Sequence, residues 1–536
     1  MMSILGAMQH HQLRVMRLVD HAEREHGGRE IVTAWADGTI GRTNWRGVAQ
    51  DARRMAKALT RLGIKRGDRV ATLAMNHVHH LTSWYGTIGM GGILHTINPR
   101  LFPDQLAYIA NHAEDRVLLY DKAFAPVVEK MKPQWNTIEH YICMDDGEFR
   151  AWIDREDDDF AWVEGDEREP LGLCYTSGTT GNPKGVLYEH RSTMLHTLVE
   201  VGPDVFELSA RSTCLPIVPM FHANAWGVPW AAPMVGAKLV LSADYRPQQM
   251  CDLFREEGVT HSAGVPTVWL GMIDHIERTG DQLGSLKSVT IGGSAAPRAM
   301  VEWFRRKGVK IGHAWGMTEM SPIGTCGNPP ANWDDMTDEE QVDFTCRQGR
   351  IPFGVELRIV DDEGKELPRD GVATGSLQTR GHWIVERYFK EDQSATDADC
   401  WFDTGDVAAL HPDGTMQITD RAKDVIKSGG EWISSIDLEN AAVGVPGVAE
   451  AAAIGIAHPK WDERPLLLVV RSAGSDVHEE AIREHLAKHV ARWWMPDAIE
   501  FVEELPHTAT GKLSKKTLRE QWKHYVLPTA EAMVGR

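Results

Sequence analysis

Helical and strand patterns of apolar residues alternate along the chain up to about residue 355, and no other feature constrains the possible folds as strongly. Apolar residues recur at helical spacing over 48–62, Gly63 ends that pattern, and a short apolar run then covers 70–75. Comparable runs, each bounded by Gly, Asp or Pro, occupy 116–120, 238–241 and 289–291. This alternation predicts an α/β fold with largely parallel sheets.

The pattern changes near residue 355. Short β-like runs separated by turn signals, such as 361–364 and 412–414, predict a small β-rich subdomain over 355–421. Beyond it the pattern returns to mixed α/β, with a strand candidate at 465–470 and a helix candidate at 479–490. We therefore expect a large N-terminal domain of α/β subdomains over 1–421 and a smaller α+β C-terminal domain over 422–536.

Charge and cysteine content narrow the classes of partner and compartment. The chain of 536 residues has 57 Lys and Arg against 76 Asp and Glu, a formal net charge of −19 that opposes binding to nucleic acid or anionic membranes. Its 7 cysteines, without a C-x-x-C pair, indicate reduced thiols. The N-terminus lacks a signal-peptide pattern, and the most apolar stretch, 225–241, contains two prolines and a lysine. We expect a cytoplasmic protein without an integral membrane segment.

The strongest local signal is the segment YTSGTTGNPKG at 175–185. Its glycines, hydroxyls and lysine supply backbone N–H groups, O–H donors and a cation, which together suit a phosphate group. The segment is not a Walker A loop, because Pro183 and Gly185 stand where that motif requires Gly and Ser or Thr. The structural alternative is a flexible surface loop rich in Gly and Thr.

Further motifs follow in a fixed order along the chain. They are PMFHAN at 219–224, GGSAAP at 292–297, HAWGMTE at 313–319, WFDTGD at 401–406, DRAKDVIKSGGE at 420–431 and PHTATGK at 506–512. With the phosphate loop, this series resembles the adenylate-forming superfamily, which contains acyl-CoA synthetases, adenylation domains of peptide synthetases and beetle luciferases. The resemblance covers essentially the full chain.

The resemblance implies an ATP-dependent acid-CoA ligase that forms an acyl-adenylate, releases pyrophosphate and transfers the acyl group to the thiol of CoA. It implies that Glu319 and Thr176 hold Mg²⁺, a cation that prefers oxygen ligands. Trp315 stands where the family more often has a tyrosine stacked on adenine. The implied ATP-binding residues are Thr176, Ser177, Gly178, Thr179, Thr180, Lys184, Gly293, Ser294, Ala295, His313, Ala314, Trp315, Gly316, Met317, Thr318, Asp406, Arg421 and Lys512.

The implied catalytic residues are Lys512, Thr318, Glu319 and His222, with Lys512 bridging the acyl carboxylate and the α-phosphate as a point charge. The resemblance also implies that the C-terminal domain is mobile and rotates about Lys423 between the two half-reactions. The expected CoA-binding residues are Ser428, Gly429, Gly430, Glu431 and Trp432.

The identity of the acid is less constrained. The segment 221–230 contains two tryptophans and a histidine, and apolar walls suit an apolar acid better than an amino acid. Blocks at 95–103, 313–322, 458–465 and 493–497 resemble the bacterial branch of 3-(methylthio)propionate- and medium-chain fatty acid-CoA ligases, in which His222, Trp226 and Gly293 would line the acyl pocket.

Several alternatives stay open at this stage. They are an aryl- or arylalkanoate-CoA ligase, an adenylating enzyme that loads a carrier protein, a luciferase-like oxygenase and a nucleotide sensor without catalysis. No segment like a carrier protein follows Lys512, which favours CoA as the acceptor. Family habit suggests a homodimer.

Overall fold

The computed structural model describes residues 6–176, 182–429, 431–508 and 512–530, without the side chains of residues 431 and 432. The helices of this part of the chain are α1 (Met16–His26), α2 (Trp45–Arg61), α3 (Val78–Gly89), α4 (Pro103–Ala113), α5 (Ala125–Met131), α6 (Glu148–Ile153), α7 (His190–Glu200), α8 (Val228–Val235), α9 (Pro247–Glu256), α10 (Pro266–Thr279), α11 (Arg298–Arg306), α12 (Asp338–Cys346), α13 (Ser435–Val443), α14 (Glu479–His489) and α15 (Lys515–Gln521). None of these helices has both the length and the apolar character that crossing a bilayer requires.

The strands complete the description. They are β1 (Glu30–Ala34), β2 (Ile40–Asn44), β3 (Arg69–Leu73), β4 (Ile93–Thr96), β5 (Asp115–Tyr120), β6 (His140–Cys143), β7 (Pro170–Tyr175), β8 (Gly185–Glu189), β9 (Thr213–Pro216), β10 (Lys238–Ser242), β11 (His261–Gly264), β12 (Ser288–Ile291), β13 (Lys310–Gly316), β14 (Ile323–Cys326), β15 (Val355–Val360), β16 (Thr374–Gly381), β17 (Phe402–Leu410), β18 (Met416–Arg421), β19 (Ile426–Ser428), β20 (Glu431–Ile433), β21 (Val448–His458), β22 (Asp462–Arg471) and β23 (Ala498–Phe501).

Two parallel-rich sheets form the larger part of the molecule. One has the order β6-β5-β3-β4-β7-β8, with an antiparallel pair only at its β7–β8 edge. The other has the order β14-β13-β12-β11-β9-β10-β1-β2, with antiparallel pairs at both edges. The hydroxyl of Tyr188 in β8 donates a hydrogen bond of 2.7 Å to the carbonyl of Thr318, just after β13, and so links the two sheets. The predicted α/β class is confirmed.

The remaining two sheets follow in the sequence. An antiparallel sheet of β15 to β18 covers the region predicted to be β-rich. The C-terminal region contains the order β20-β19-β22-β21, with β23 added parallel to β22, and the helices α13 and α14. The core that these helices share with the sheet includes Ile433, Leu438, Leu467 and Leu486. The predicted boundary at 421–422 stays a prediction.

One local expectation was wrong. The histidine-rich segment 76–80 has no Cys or Glu nearby at metal-ligand spacing, so its sequence predicts a loop after a strand and not a zinc site. In the structure His77 instead caps the N-terminus of α3 by accepting a hydrogen bond from the backbone N–H of His80. His77 also contacts Asp121 at 2.8 Å, and His80 contacts Thr72 at 2.9 Å. These imidazoles therefore serve packing and helix capping.

Candidate active site

The candidate site lies where parallel strands end at their carboxyl edges, the usual place for a ligand in open α/β sheets. Thr176 follows β7, Gly292 and Gly293 follow β12, and Glu319 follows β13. Each of these residues belongs to a motif that the sequence singled out. The topology of the two sheets therefore brings together motifs that are far apart in the sequence.

The phosphate loop is held at its base by a β-hairpin. The backbone N–H of Thr176 donates to the carbonyl of Lys184 at 2.9 Å, and Tyr175 pairs with Gly185 across β7 and β8. The Lys184 ammonium lies 4.7 Å from the ring centre of Tyr388. The predicted phosphate ligands Ser177, Gly178, Thr179 and Thr180 lie outside the described residues.

Glu319 is a buried carboxylate beside this loop. Its Oε1 accepts a hydrogen bond of 2.9 Å from the hydroxyl of Tyr388, a residue that sequence reasoning did not assign to the site. Burial raises the pKa of Glu319, while the Tyr388 hydroxyl and the nearby Lys184 oppose that rise. Thr318 is half-buried beside it, and its carbonyl accepts from Tyr188.

Asp406 and Trp315 form a second polar pair. The indole Nε1 of Trp315 donates to Oδ2 of Asp406 at 2.9 Å, and the guanidinium Nε of Arg421 lies 3.7 Å from Oδ1. The antiparallel register of β17 and β18 places Asp406 opposite Arg421. Burial raises the pKa of Asp406, and the charge of Arg421 opposes that rise.

The other predicted nucleotide residues differ in accessibility. Ser294 is exposed, whereas Gly293, Ala295, Ala314, Gly316 and Met317 are half-buried. His313 is fully buried, where its Nε2 accepts from the backbone N–H of Ala296 at 3.2 Å and its Nδ1 contacts the carbonyl of Thr345. Burial lowers the pKa of His313 to about 4. Its imidazole is thus engaged within the protein.

Lys512 enters the site from the C-terminal region. Its Nζ lies 3.9 Å, and its Cε 3.4 Å, from the point that a Cβ atom on Gly293 would occupy. Burial lowers the pKa of Lys512 to about 8, with the Arg421 charge acting in the same direction and Asp406 and Glu319 opposing it. A Cβ atom on residue 293 would be in ordinary contact with Lys512 but only 3.1 Å from Cγ1 of Val265, and the φ of +85° also favours glycine.

Trp226 lies beside Gly292, and His222 lies close enough to Lys512 to feel its charge. The indole Cη2 of Trp226 is 3.3 Å from the Cβ position of Gly292. Burial lowers the pKa of His222 to about 3, and the nearby Lys512 charge adds to that effect, so the imidazole is neutral at physiological pH. Trp230, which the sequence also directed toward the acyl pocket, instead packs in the core against Trp84 and Tyr85.

Asn76 is a residue of this region that sequence reasoning did not assign to the site. Its buried amide donates to the carbonyls of Pro216 and Val218, and its Oδ1 accepts from the backbone N–H of Met220, all at 2.7 to 3.1 Å. It therefore holds the backbone that leads to His222. Its position directly after β3, at the carboxyl edge of a parallel sheet, is the signal that would have identified it.

The predicted hinge and CoA-binding residues lie at the entrance to the C-terminal region. Lys423 is exposed in a turn after β18. Ser428 is buried, with its Oγ 3.3 Å from Nη1 of Arg464, and Gly429 has a φ of +63° and donates to the carbonyl of Trp461. Gly430 lies outside the described residues, as do the side chains of Glu431 and Trp432.

Asp420 and Ser435 join the two sides of this predicted boundary, and Lys515 extends the same network within the C-terminal region. Oδ2 of Asp420 in β18 accepts from both the backbone N–H and the hydroxyl of Ser435 in α13, at 2.7 and 2.6 Å. Lys515 donates to the same hydroxyl and pairs with Glu439 at 2.8 Å. These contacts were not expected from the sequence.

One group of Cys, His, Asp or Glu side chains has metal-ligand spacing in the part of the chain that the structure describes. It consists of Cys251, His275 and Asp281, which lie on and beside α9 and α10. Thr176 and Glu319 do not belong to it. Glu319 provides a single carboxylate, which suits a cation that takes most of its ligands from phosphates and water.

Comparison with known proteins gives two family matches that together cover most of the chain. Residues 19–389 match the AMP-binding enzyme family, and residues 437–512 match the AMP-binding enzyme C-terminal domain. The chain is 48% identical to a 3-methylmercaptopropionyl-CoA ligase of Ruegeria lacuscaerulensis, over 97% of this chain and 99% of the relative. It is 45% identical to a medium-chain-fatty-acid–CoA ligase of Ectopseudomonas oleovorans, over 99% of this chain and 100% of the relative.

Solved structures give the same result for the fold. A crystal structure of an anthranilate-CoA ligase in complex with anthranoyl-AMP superimposes with a TM-score of 0.86 at 25% identity, covering 95% of this chain and 97% of that one.

Proposed function

Since this chain belongs to the AMP-binding enzyme family and is an ATP-dependent acid-CoA ligase, we propose that Lys512, Thr318, Glu319 and His222 carry out acyl-adenylate formation on a short or medium-chain acid. The observation that carries this proposal is the position of the Lys512 ammonium beside Gly293, close enough to His222, Asp406 and Glu319 to act on them electrostatically. The reaction consumes ATP and CoA and releases AMP and pyrophosphate.

Lys512 meets the electrostatic requirement of the first step. Attack of a carboxylate on the α-phosphorus brings two anionic groups together, so a positioned cation lowers the barrier by stabilising charge in the transition state. The Lys512 ammonium would bridge the carboxylate and the α-phosphate, with Thr318 as an additional hydrogen-bond donor. His222 is neutral, so it would act by hydrogen bonding and by shaping the pocket rather than by charge.

The nucleotide would be held from both sides of the site. Thr176 and Lys184, with the phosphate-loop residues between them, would bind the β- and γ-phosphates, and Asp406 would accept hydrogen bonds from the ribose hydroxyls. Trp315 would stack on adenine, and the segments 293–295 and 313–317 would surround the same part of the nucleotide. Mg²⁺ would neutralise phosphate charge when bound, and the oxygen donors of Glu319 and Thr176 fit it.

We propose 3-(methylthio)propionate or a short to medium-chain fatty acid as the substrate. Two relatives that match nearly the whole chain are named for such acids. The half-buried His222 and the apolar face of Trp226 offer no carboxylate for the ammonium of an amino acid. Aryl and arylalkanoic acids are the competing substrate class.

The thioester step requires a different arrangement. We propose that the C-terminal domain rotates about Lys423, which withdraws Lys512 and brings Ser428 to Trp432 to the pantetheine of CoA. The exposed turn at Lys423 can absorb the backbone change. A homodimer and a cytoplasmic location stay predictions.

Two measurements test this proposal. An acid panel of methylthiopropionate, C4 to C10 fatty acids and phenylpropionate, assayed with ATP, Mg²⁺ and CoA, should give the highest kcat/KM with one of the first two groups. Pyrophosphate exchange into ATP should depend on the acid. A preference for phenylpropionate or for an amino acid would overturn the substrate assignment.

Two variants distinguish the role of Lys512 from that of the proposed CoA-binding segment 428–432, because each variant should impair a different half-reaction. Lys512→Ala should reduce adenylation by at least about a hundredfold, equivalent to roughly 3 kcal/mol, yet still convert synthetic acyl-adenylate to thioester. Gly430→Trp should have the opposite pattern. Equal loss of both half-reactions in both variants would contradict the two-conformation proposal.

A further inference from the structure

A buried glutamate lies close to the acyl side of the site without an evident structural role. Glu200, the last residue of α7, has no exposed surface. Within the described residues neither of its carboxyl oxygens has a hydrogen-bond partner. Burial raises the pKa of Glu200 well above its usual value, which favours the neutral carboxylic acid over the carboxylate. Such a group is costly to bury, which calls for an explanation other than stability.

The neighbouring histidine does not supply a charge. His196, one turn earlier in α7, has its Nδ1 3.4 Å from Oε2 of Glu200. Its Nε2 accepts from the backbone N–H of Ile323, which places the imidazole proton on Nδ1. Burial lowers the pKa of His196 to about 3. His196 therefore faces Glu200 as a neutral imidazole with its Nδ1–H toward the carboxyl group.

The Glu200 carboxyl group occupies the space that a side chain on Gly227 would take. Its Cδ atom is 2.7 Å from the Cβ position of Gly227, and its oxygens are as close. Gly227 has a φ of +89° and follows Ala223 to Trp226, which all adopt left-handed φ values between 42° and 56°. Left-handed conformations cost non-glycine residues free energy, and they concentrate at functional sites. Glu200 thus lies directly behind the segment that presents Trp226.

A small cavity lies close to Glu200, although Glu200 itself is not among its lining residues. Its volume is about 20 Å³, room for roughly one water molecule or methyl group, and its lining includes Phe206, Leu208, Cys214, Val228 and Ala263. The backbone N–H of Phe206 donates to the carbonyl of Glu200, and Val228 directly follows Gly227. Burial raises the pKa of Cys214 to about 12, with a contribution from Glu200 that reflects their proximity.

We propose that Glu200 determines the length of acid that the enzyme accepts, because its carboxyl group closes the acyl pocket between Trp226 and this mostly apolar cavity. Lys512 lies beside Gly293, Trp226 beside Gly292 and the Glu200 carboxyl against Gly227, so in this proposal the acyl pocket would run along these residues in that order. A short acid ends before this group. A longer chain would have to displace a buried carboxyl group whose nearest polar neighbour is the imidazole of His196. The inference rests on the proposed assignment of Trp226 and Gly293 to the acyl pocket.

The test compares acid selectivity in variants that shorten the side chain. Glu200→Ala should join the cavity to the pocket and raise the ratio of kcat/KM for octanoate to kcat/KM for butanoate by about tenfold. Each additional buried methylene contributes roughly a fourfold gain, so two of them account for this change. Glu200→Val removes less volume and should raise the ratio by a smaller factor. It replaces the alanine variant in this test if that variant does not fold.

Two matched variants distinguish a change in selectivity for acid chain length from a general loss of protein stability. Glu200→Leu has a similar length and no polar group, so it should raise the thermal midpoint while changing the ratio less than Glu200→Ala does. Glu257→Ala removes another buried carboxyl, paired with Arg42 and Lys238 at the edge of the sheet, and should lower stability without a change in the ratio.

The outcomes distinguish this inference from the function proposed above. If wild-type protein exchanges pyrophosphate with several acids, but the octanoate-to-butanoate ratio in both shortened variants stays within about twofold of wild type, Glu200 does not set chain length. If no acid supports exchange in the wild-type protein, the substrate assignment itself fails, whatever the variants do.

Discussion

Trp315 donates its indole N–H to Oδ2 of Asp406 at 2.9 Å. The pair joins the end of β13 to β17, two strands that belong to different sheets. Since Asp406 is buried, an oriented donor lowers the cost of keeping its carboxylate charged. It also occupies Oδ2, which leaves Oδ1, the oxygen facing Arg421, to accept from the ribose in the proposed function. A tyrosine that stacks at this position would lack a donor at the same place on the ring. In the proposed function, Trp315 would thus position Asp406 as well as offer its ring to adenine.

Replacing this indole should weaken ATP binding. We expect Trp315→Phe to raise the KM for ATP by about tenfold, because a hydrogen bond to a charged group contributes roughly 1.5 kcal/mol. Initial rates of pyrophosphate release against ATP concentration measure the effect. Trp135→Phe, which removes an indole donor to the carbonyl of Leu106 elsewhere in the molecule, is the control and should leave the KM for ATP unchanged. Equal changes in both variants would argue against the positioning role.

The rate of adenylation should fall at alkaline pH. Burial lowers the pKa of Lys512 to about 8, so the ammonium is present below pH 8 and is lost as the pH rises through that value. We expect kcat/KM for the acid, which reports the free enzyme, to decrease about tenfold per pH unit above pH 8. Lys512→Arg should be slower but should lack this alkaline decrease, because a guanidinium stays charged. The same decrease in both proteins would assign it to another group.

Asn76 should matter for both stability and acid binding. Its amide makes three hydrogen bonds to the backbone between β9 and His222, so Asn76→Ala leaves buried polar groups unpaired. We expect a loss of about 3 kcal/mol in the free energy of unfolding. We also expect the KM for the acid to rise by a larger factor, relative to wild type, than the KM for ATP. Chemical denaturation and steady-state kinetics measure the two effects. Asn111→Ala, which removes surface hydrogen bonds to residues 134 and 136, should cost about 1 kcal/mol or less and leave the acid KM unaltered.

Asp420 should favour the arrangement in which Lys512 is in the site. It accepts two hydrogen bonds from Ser435, and removing them would weaken the contact of α13 with β18 by about 2 kcal/mol. We expect Asp420→Ala to lower the ratio of adenylation rate to thioester-forming rate by more than tenfold, as single-turnover assays of each half-reaction would measure. Glu500→Gln alters a hydrogen bond with Tyr525 within the C-terminal region and should not change the ratio. An unchanged ratio in Asp420→Ala would show that this contact does not select the orientation.

Much of the fold could be predicted from the sequence. The apolar runs at 116–120, 238–241 and 289–291 lie within β5, β10 and β12, and the helix candidate at 479–490 corresponds to α14. These predictions depend on the period of apolar residues, which is a local property. The segment 76–80 was misread because helix capping by His77 depends on the geometry of the backbone rather than on hydrophobic spacing.

The sequence alone determined the family, the reaction class and the candidate residues, because phosphate binding and adenylation require particular residue types in a fixed order. Only the tertiary structure decided which side chains meet: Trp315 with Asp406, Lys512 with Gly293, and Glu200 with Gly227. It also placed Trp230 in the core and engaged the imidazole of His313 in internal hydrogen bonds. The physical reason is that burial and hydrogen bonding depend on residues brought together from distant strands, and no local pattern in the chain records those contacts.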